Sequence, residues 1–379
     1  MTRTGVGIAT FMVSSALLSC ADDESEGDGA FTASASTVSV SVGDDAGTGV
    51  DDSATGAGDD VATLDDAGDG TAADDDADGS DGDAGSDDGT TGVDVPFDPG
   101  LCGEAPPMGS PPPPAPPGYS GGACPVLQPG YNTGFTSGGL SREFALIVPN
   151  AVDDTGTYPL LFAWYHISGN AMDFVDDIQA QSLADAGRAI IVIPQDTGMF
   201  ETVWPDTPLD IGQSDVDLRM FDDLYACISA QYPINSQCVS SVGVSAGGLW
   251  TSYLGSVRGQ YLAANVTISG GHPSEFVGSW WPWNSPRKFA TIVMWGGPTD
   301  VLGIDFNAAS LNLLGDYTGS GHFVLRCEHT GGHGVPADGD GDPLQMALHF
   351  FRNHPFYLDG ESPLDMGLPA FYPSYCQAI

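Results

Sequence analysis

A serine, an aspartate and a histidine, met in that order along the chain, carry the first chemical signal: Ser245, Asp300 and His333. Ser245 stands in Gly243-Val244-Ser245-Ala246-Gly247, which fits G-x-S-x-G. The run Val239-Ser240-Ser241-Val242 before it reads as a strand, and Ala246 to Leu254 after it reads as the start of a helix. A serine on a sharp strand-to-helix turn is held clear of the sheet with its hydroxyl exposed. Small neighbours let the backbone make that turn and let the helix pack close. A serine that merely caps a helix in a glycine-rich turn is the plainer reading. The strand before and the helix after favour the nucleophile.

A serine hydroxyl is a poor nucleophile until a base takes its proton, and that base needs an orienting acid. In this strand–turn–helix setting the partners follow in the order acid, then histidine. Asp300 comes after the apolar run Phe289–Trp295 and the turn Gly296-Gly297-Pro298-Thr299, just past the carboxyl end of a strand. Its competitor, Asp305, lies deeper in what reads as the next helix; the plainer role for Asp300 is a helix N-cap. His333 lies in Gly331-Gly332-His333-Gly334 after the strand-like run His322–Arg326, so glycines on both sides let the imidazole hang over the serine. His329 and His272 are the alternatives.

Acyl transfer also needs backbone N–H groups aimed at the oxygen that becomes negative. Ala246, next to the serine, supplies one. Ile167 or Ser168 supplies the other, from the loop His166–Asn170 after the strand-like run Leu160–Tyr165. Trp280-Trp281-Pro282-Trp283, with Trp204 and Phe200, would line a pocket for an aromatic or polymeric acyl group; packing is the equal alternative.

These residues resemble the α/β-hydrolase esterases that include extracellular polyhydroxybutyrate depolymerases and feruloyl or acetylxylan esterases. The resemblance covers roughly Ser141 to Pro355. It starts at Arg142-Glu143-Phe144-Ala145-Leu146-Ile147-Val148-Pro149, similar to the family's first strand. It continues through the His166 loop, the Ser245 turn, Asp300 and the Gly-Gly-His loop with Pro336. The chain departs from the family twice: Ile167 fills the glycine position of the oxyanion loop, and Val335 stands where a tryptophan usually precedes the proline.

The elements that must position these residues alternate. Strand-like runs fall at 142–149, 160–165, 188–194, 239–244, 263–269, 289–295 and 322–328. Helical patterns fall near 172–186, 215–231, 246–257, 304–315 and 343–353. Such alternation predicts an α/β fold, a mostly parallel sheet with helices on both faces. The segment 121–379 is the length of one such catalytic domain.

Upstream the composition changes. Residues 1–20 carry one basic residue, Arg3, then an apolar stretch Val6–Leu18 ending Leu17-Leu18-Ser19-Cys20. This reads as a lipoprotein export signal, too short to span a bilayer, that would leave Cys20 lipid-modified. The expected location is the bacterial cell envelope, lipid-anchored, facing outward or periplasmic. Residues 21–100 hold 24 of the 51 acidic residues and no Lys or Arg. That tract lacks the apolar density for a core and is expected to be a disordered tether. Ala105–Pro117, within a spacer over 101–120, is expected to be stiff polyproline II.

The formal net charge of −42 argues against nucleic acid or an anionic membrane surface as partner. The implied partner is an ester substrate, of polyester or plant-polymer type, and the chain is expected as a monomer joined to a membrane only through its lipid. Besides Cys20 there are six cysteines, an even set that suggests disulfides in an exported chain. Fifteen pairings are open; neighbours are favoured, as Cys102–Cys124, Cys227–Cys238 and Cys327–Cys376. No cofactor is called for. Asp338-Gly339-Asp340-Gly341-Asp342 resembles a short calcium loop, but Pro343 stands where glycine is needed and no bidentate glutamate follows. The function expected is a secreted serine esterase. A peptidase on the same fold, or a surface binding lipoprotein with a degenerate hydrolase domain, are the other readings.

Overall fold

The computed structural model describes residues 100–151, 156–196, 216–273, 283–336 and 340–379. Nine strands form one sheet: β1 (Gly130–Ser137), β2 (Leu140–Ile147), β3 (Tyr158–Trp164), β4 (Ile190–Pro194), β5 (Ile234–Val244), β6 (Ala264–Ile268), β7 (Ala290–Trp295), β8 (Val324–Glu328) and β9 (Cys376–Ala378). Their spatial order is β1-β2-β4-β3-β5-β6-β7-β8-β9. From β4 to β8 neighbouring strands are parallel. β1, β2 and β9 pair antiparallel at the two sides. This order, with an antiparallel second strand and helices between the parallel ones, is the α/β-hydrolase fold.

The central strands are mostly apolar and buried because helices cover both faces. Ile190–Pro194, Ala264–Ile268 and Ala290–Trp295 are buried at every position. The helices are α1 (Ala171–Asp177), α2 (Ala180–Gly187), α3 (Val216–Gln231), α4 (Ala246–Arg258), α5 (Phe306–Gly319) and α6 (Pro343–Asn353). Side chains of Trp164, Phe162, Phe221, Trp250 and Tyr225 are fully buried between them and the sheet. None of the helices among the described residues is long and apolar enough to cross a membrane.

All seven expected strands are present, and the structure adds two. β1 carries two glycines and little alternation, and its register shifts between Asn132 and Phe135, as edge strands tolerate. β9 is three residues held against β8. The single helix expected over 172–186 is two, because Gln179 adopts a left-handed φ of 48° and ends the first.

The disulfides correct the neighbour pairing. The bonds are Cys102–Cys238, Cys124–Cys227 and Cys327–Cys376. Only the last was expected; it joins β9 to β8. Cys227 and Cys238 sit on α3 and β5, and the segment before β1 lies across both. Asn235 donates to the Cys102 carbonyl at 2.7 Å, Leu127 N–H to Gln231 Oε1 at 2.9 Å, and Ser120 to Asp223 at 2.6 Å. The two long-range bonds span 136 and 103 residues, so each removes more chain entropy from the unfolded state than a neighbour pair would. Three such bonds suit an oxidising compartment. Residues 105–117 hold neither helix nor strand.

Candidate active site

Ser245 links β5 to α4 with φ 57° and ψ −119°, a conformation that costs an L-residue energy and persists only where surroundings impose it. Close packing imposes it. A Cβ on Gly243 would lie 2.0 Å from the Gly247 carbonyl oxygen, and one on Gly247 would lie 2.2 Å from the Trp164 carbonyl oxygen. Only glycine at both places lets α4 come back onto β5 and β3. Ser245 N–H donates to the Ile268 carbonyl at 2.9 Å, which fixes the turn against β6.

Asp300 follows β7 through the single 3₁₀ turn Gly297–Thr299, and His333 follows β8 in its glycine loop. Both therefore sit at the carboxyl ends of parallel strands, beside the serine turn. His333 Nε2 lies 2.8 Å from Ser245 Oγ, and His333 Nδ1 lies 2.6 Å from Asp300 Oδ1. An ionised carboxylate only accepts, so Nδ1 carries the proton and Nε2 is free to accept from the serine. The Phe306 ring packs on the imidazole, with centroids 4.4 Å apart. Phe306 N–H also donates to the Asp300 carbonyl at 3.0 Å, tying α5 to the acid's own backbone.

Asp300 is fully buried. Burial, the largest influence, favours its neutral form; hydrogen bonds from His333, Gly296 N–H and Ser269 outweigh it and hold the carboxyl below its ordinary value. The Ser269 hydroxyl donates to Asp300 Oδ2 at 2.7 Å, and Gly296 N–H donates to the same oxygen at 3.0 Å. Gly334 N–H donates to Ser269 Oγ at 2.8 Å. Ser269 was not singled out from the sequence. Its signal was a small polar residue at the carboxyl end of an apolar strand, followed by Gly270-Gly271.

The competing residues go elsewhere. Asp305 caps α5, accepting from Ala308 N–H at 2.8 Å. His329 is buried, accepts from Gly331 N–H at 3.1 Å and meets the edge of Tyr375. His272 faces Asp316 at 2.5 Å.

Ala246 is the first residue of α4, so its N–H belongs to the first turn, which has no acceptor within the helix. The loop His166–Asn170 leaves β3 where that strand touches this turn. Within it Gly169 N–H donates to the His166 carbonyl at 3.2 Å, and Ser168 takes a left-handed φ of 61°. Asn170 then caps α1, accepting from Met172 and Asp173 N–H. Exposed apolar side chains stand on all three loops: Ile167 after β3, Val301 and Leu302 after Asp300, and Val335 after His333.

Trp283 is not placed at the site. It donates to Ser320 Oγ at 3.0 Å and packs on Tyr317, at the far end of α5 from Phe306 and His333. A 14-residue helix separates the two ends by about 20 Å. Trp283 serves packing there because it precedes β7, whose start lies at the opposite end of the parallel strands from the serine turn; Trp280 also lies outside the described residues. Trp204 and Trp281 lie outside the described residues, as does Cys20. Of the acidic run, Asp342 caps α6 and Asp340 accepts from Ser374 N–H at 3.0 Å; Asp338 lies outside the described residues.

No family model matches the chain, and no curated protein matches it. Among solved structures, sOPH in its native form is 20% identical with a TM-score of 0.54, over 68% of this chain and 96% of that one. Native pOPH is 18% identical with a TM-score of 0.54, over 68% and 96%. A serine-to-alanine variant of pOPH in complex with pNPB is 17% identical with a TM-score of 0.53, again over 68% and 96%. These likenesses are in fold.

Proposed function

We propose that the chain is a serine esterase that hydrolyses carboxylic ester bonds, of polyester or plant-polymer type, through an acyl-enzyme. The observation that carries this reading is the unbroken chain from Ser245 Oγ through His333 to Asp300, at 2.8 and 2.6 Å. His333 Nε2 takes the hydroxyl proton as Ser245 Oγ attacks the ester carbonyl carbon. Asp300 keeps Nδ1–H in place and balances the imidazolium charge. The oxyanion is held by Ala246 N–H and by the Ile167 or Ser168 N–H. The C–O bond to the leaving alcohol then breaks, and His333 Nε2–H returns the proton to that oxygen. Water, activated by the same Nε2, attacks the acyl carbon, and Ser245 leaves with its proton restored.

The exposed apolar residues around the three loops support an apolar acyl group over a charged one. The pOPH complex with pNPB supports a ligand site on a fold of this kind. The chain is read as exported, with Cys20 lipid-modified and residues 21–100 as a tether between membrane and catalytic domain. The test is a substrate screen with short p-nitrophenyl esters, feruloyl esters, polyhydroxybutyrate films and peptide anilides. Turnover of one or more esters, abolished in Ser245→Ala, is expected. Turnover of the anilides alone would replace the esterase by a peptidase, and no turnover would leave a binding protein.

A further inference from the structure

We infer that Ser269 is a positioning residue that locks the acid loop and the base loop together for proton transfer at Ser245. The inference rests on the reading of Ser245, His333 and Asp300 as a catalytic chain. Ser269 is buried at the carboxyl end of β6, and its hydroxyl touches both the loop that follows β7 and the loop that follows β8. Its hydroxyl has one proton and two lone pairs. The carboxylate, which can only accept, receives a hydrogen bond from that hydroxyl at 2.7 Å. The oxygen in turn accepts Gly334 N–H, from the residue after His333, at 2.8 Å. One oxygen atom thus bridges the carboxylate of the acid and the peptide next to the base.

The carboxylate plane is fixed by this contact. With Oδ2 held by Ser269 and by Gly296 N–H, Oδ1 stays aimed at His333 Nδ1. The backbone supports the same conclusion. Ser269 occupies φ 41°, a region that favours glycine, and its N–H donates to the Met294 carbonyl at 2.8 Å. Two glycines follow at once, so the strained place is filled by the one residue of the three that has a hydroxyl. No proton leaves Ser269 at any step. It acts through Asp300 and His333 and does not meet the ester.

Ser269→Gly removes the hydroxyl and relieves the positive φ, so it keeps the fold while deleting the bridge. On a soluble p-nitrophenyl ester, Ser269→Gly is expected to lower kcat by about 10- to 100-fold, as small misplacements of a catalytic group do. KM should stay within about threefold, because no substrate contact is lost. The acidic limb of the kcat/KM profile should move to higher pH, since a carboxylate with one donor fewer holds the imidazolium more tightly. Unchanged kcat and an unmoved pH profile in Ser269→Gly would overturn the inference. Ser245→Ala, assayed in parallel, tests the underlying reading by itself. The proton resonance of His333 Nδ1–H decides the bridge without turnover: it should shift and broaden in Ser269→Gly, and an unchanged resonance would again overturn it.

Discussion

The Gln195 side chain donates to the Tyr165 hydroxyl at 2.8 Å, immediately before the loop His166–Asn170, and with its other end accepts Ala171 N–H at 2.9 Å, immediately after it. Gln195 follows β4 and so clamps both stems of the loop assigned to the oxyanion. Beneath it Arg142 and Asp217 form a buried ion pair, with Arg142 also donating to the Gln195 carbonyl at 3.1 Å.

Gln195→Ala should therefore loosen that loop. The expected loss is about tenfold in kcat. It should cost about 1–3 kcal/mol of stability, because a buried N–H loses its acceptor. Steady-state kinetics and urea unfolding check both; a variant with normal kcat would remove the loop from the oxyanion assignment.

The pairing Cys102–Cys238 and Cys124–Cys227 is checked by mapping disulfide-linked peptides of the unreduced protein. The double change Cys102→Ser with Cys238→Ser should cost about 4–5 kcal/mol at most in the chain-entropy account. Activity of the protein that remains folded should not change, since neither cysteine touches the site. A Cys227–Cys238 peptide would contradict the fold described.

Two buried histidines predict an acid-labile fold. Burial pushes His322 and His354 down to about 4, although both bond to main-chain carbonyls. Unfolded, each would take a proton near its ordinary value of 6.5. The stability from keeping them neutral is complete above that value and is lost as pH falls toward about 4. Each contributes a slope of about 1.4 kcal/mol per pH unit within that window. Denaturant midpoints measured from pH 7 to 5 should fall; a flat profile would contradict the burial. Asp300 acts lower. Its carboxyl is held below its ordinary 3.8, so its contribution is present above that value and lost as pH drops through the folded one.

Deleting residues 25–95 should leave turnover of a soluble ester unchanged, since an acidic low-complexity tract makes no core. Action on particulate substrates should weaken as reach shrinks. Cys20→Ser should move the protein out of the membrane fraction. Mass spectrometry of the mature N-terminus decides the anchor; an unmodified end away from Cys20 would remove it and leave the esterase reading standing.

The core of the site was legible because its chemistry is local. G-x-S-x-G between a strand and a helix, an aspartate just past a strand, and a histidine between glycines each announce themselves within ten residues. What escaped depends on contacts between distant segments. Ser269 matters only because β6 ends beside β7, where its hydroxyl reaches Asp300 after β7 and Gly334 after β8. Gln195 matters only because β4 lies beside β3. The cysteines misled for the same reason: Cys227 and Cys238 are close in sequence, yet each meets a cysteine from the segment before β1. Trp283 read as a pocket wall because aromatic clusters look alike whether they pack or bind. The break at Gln179 was hidden in a continuous helical pattern, since a left-handed residue other than glycine leaves no mark in composition.

The central claim is that Ser245 is activated by His333. The most direct test is the rate at which a fluorophosphonate labels the protein, with the modified peptide sequenced. The wild type should be labelled at Ser245. His333→Ala should slow labelling by about 10³-fold or more, because only the activated hydroxyl reacts quickly. His329→Asn, which keeps an acceptor for Gly331 N–H, should be labelled as the wild type is. Labelling at another serine, or undiminished labelling of Ser245 in folded His333→Ala, would contradict the account.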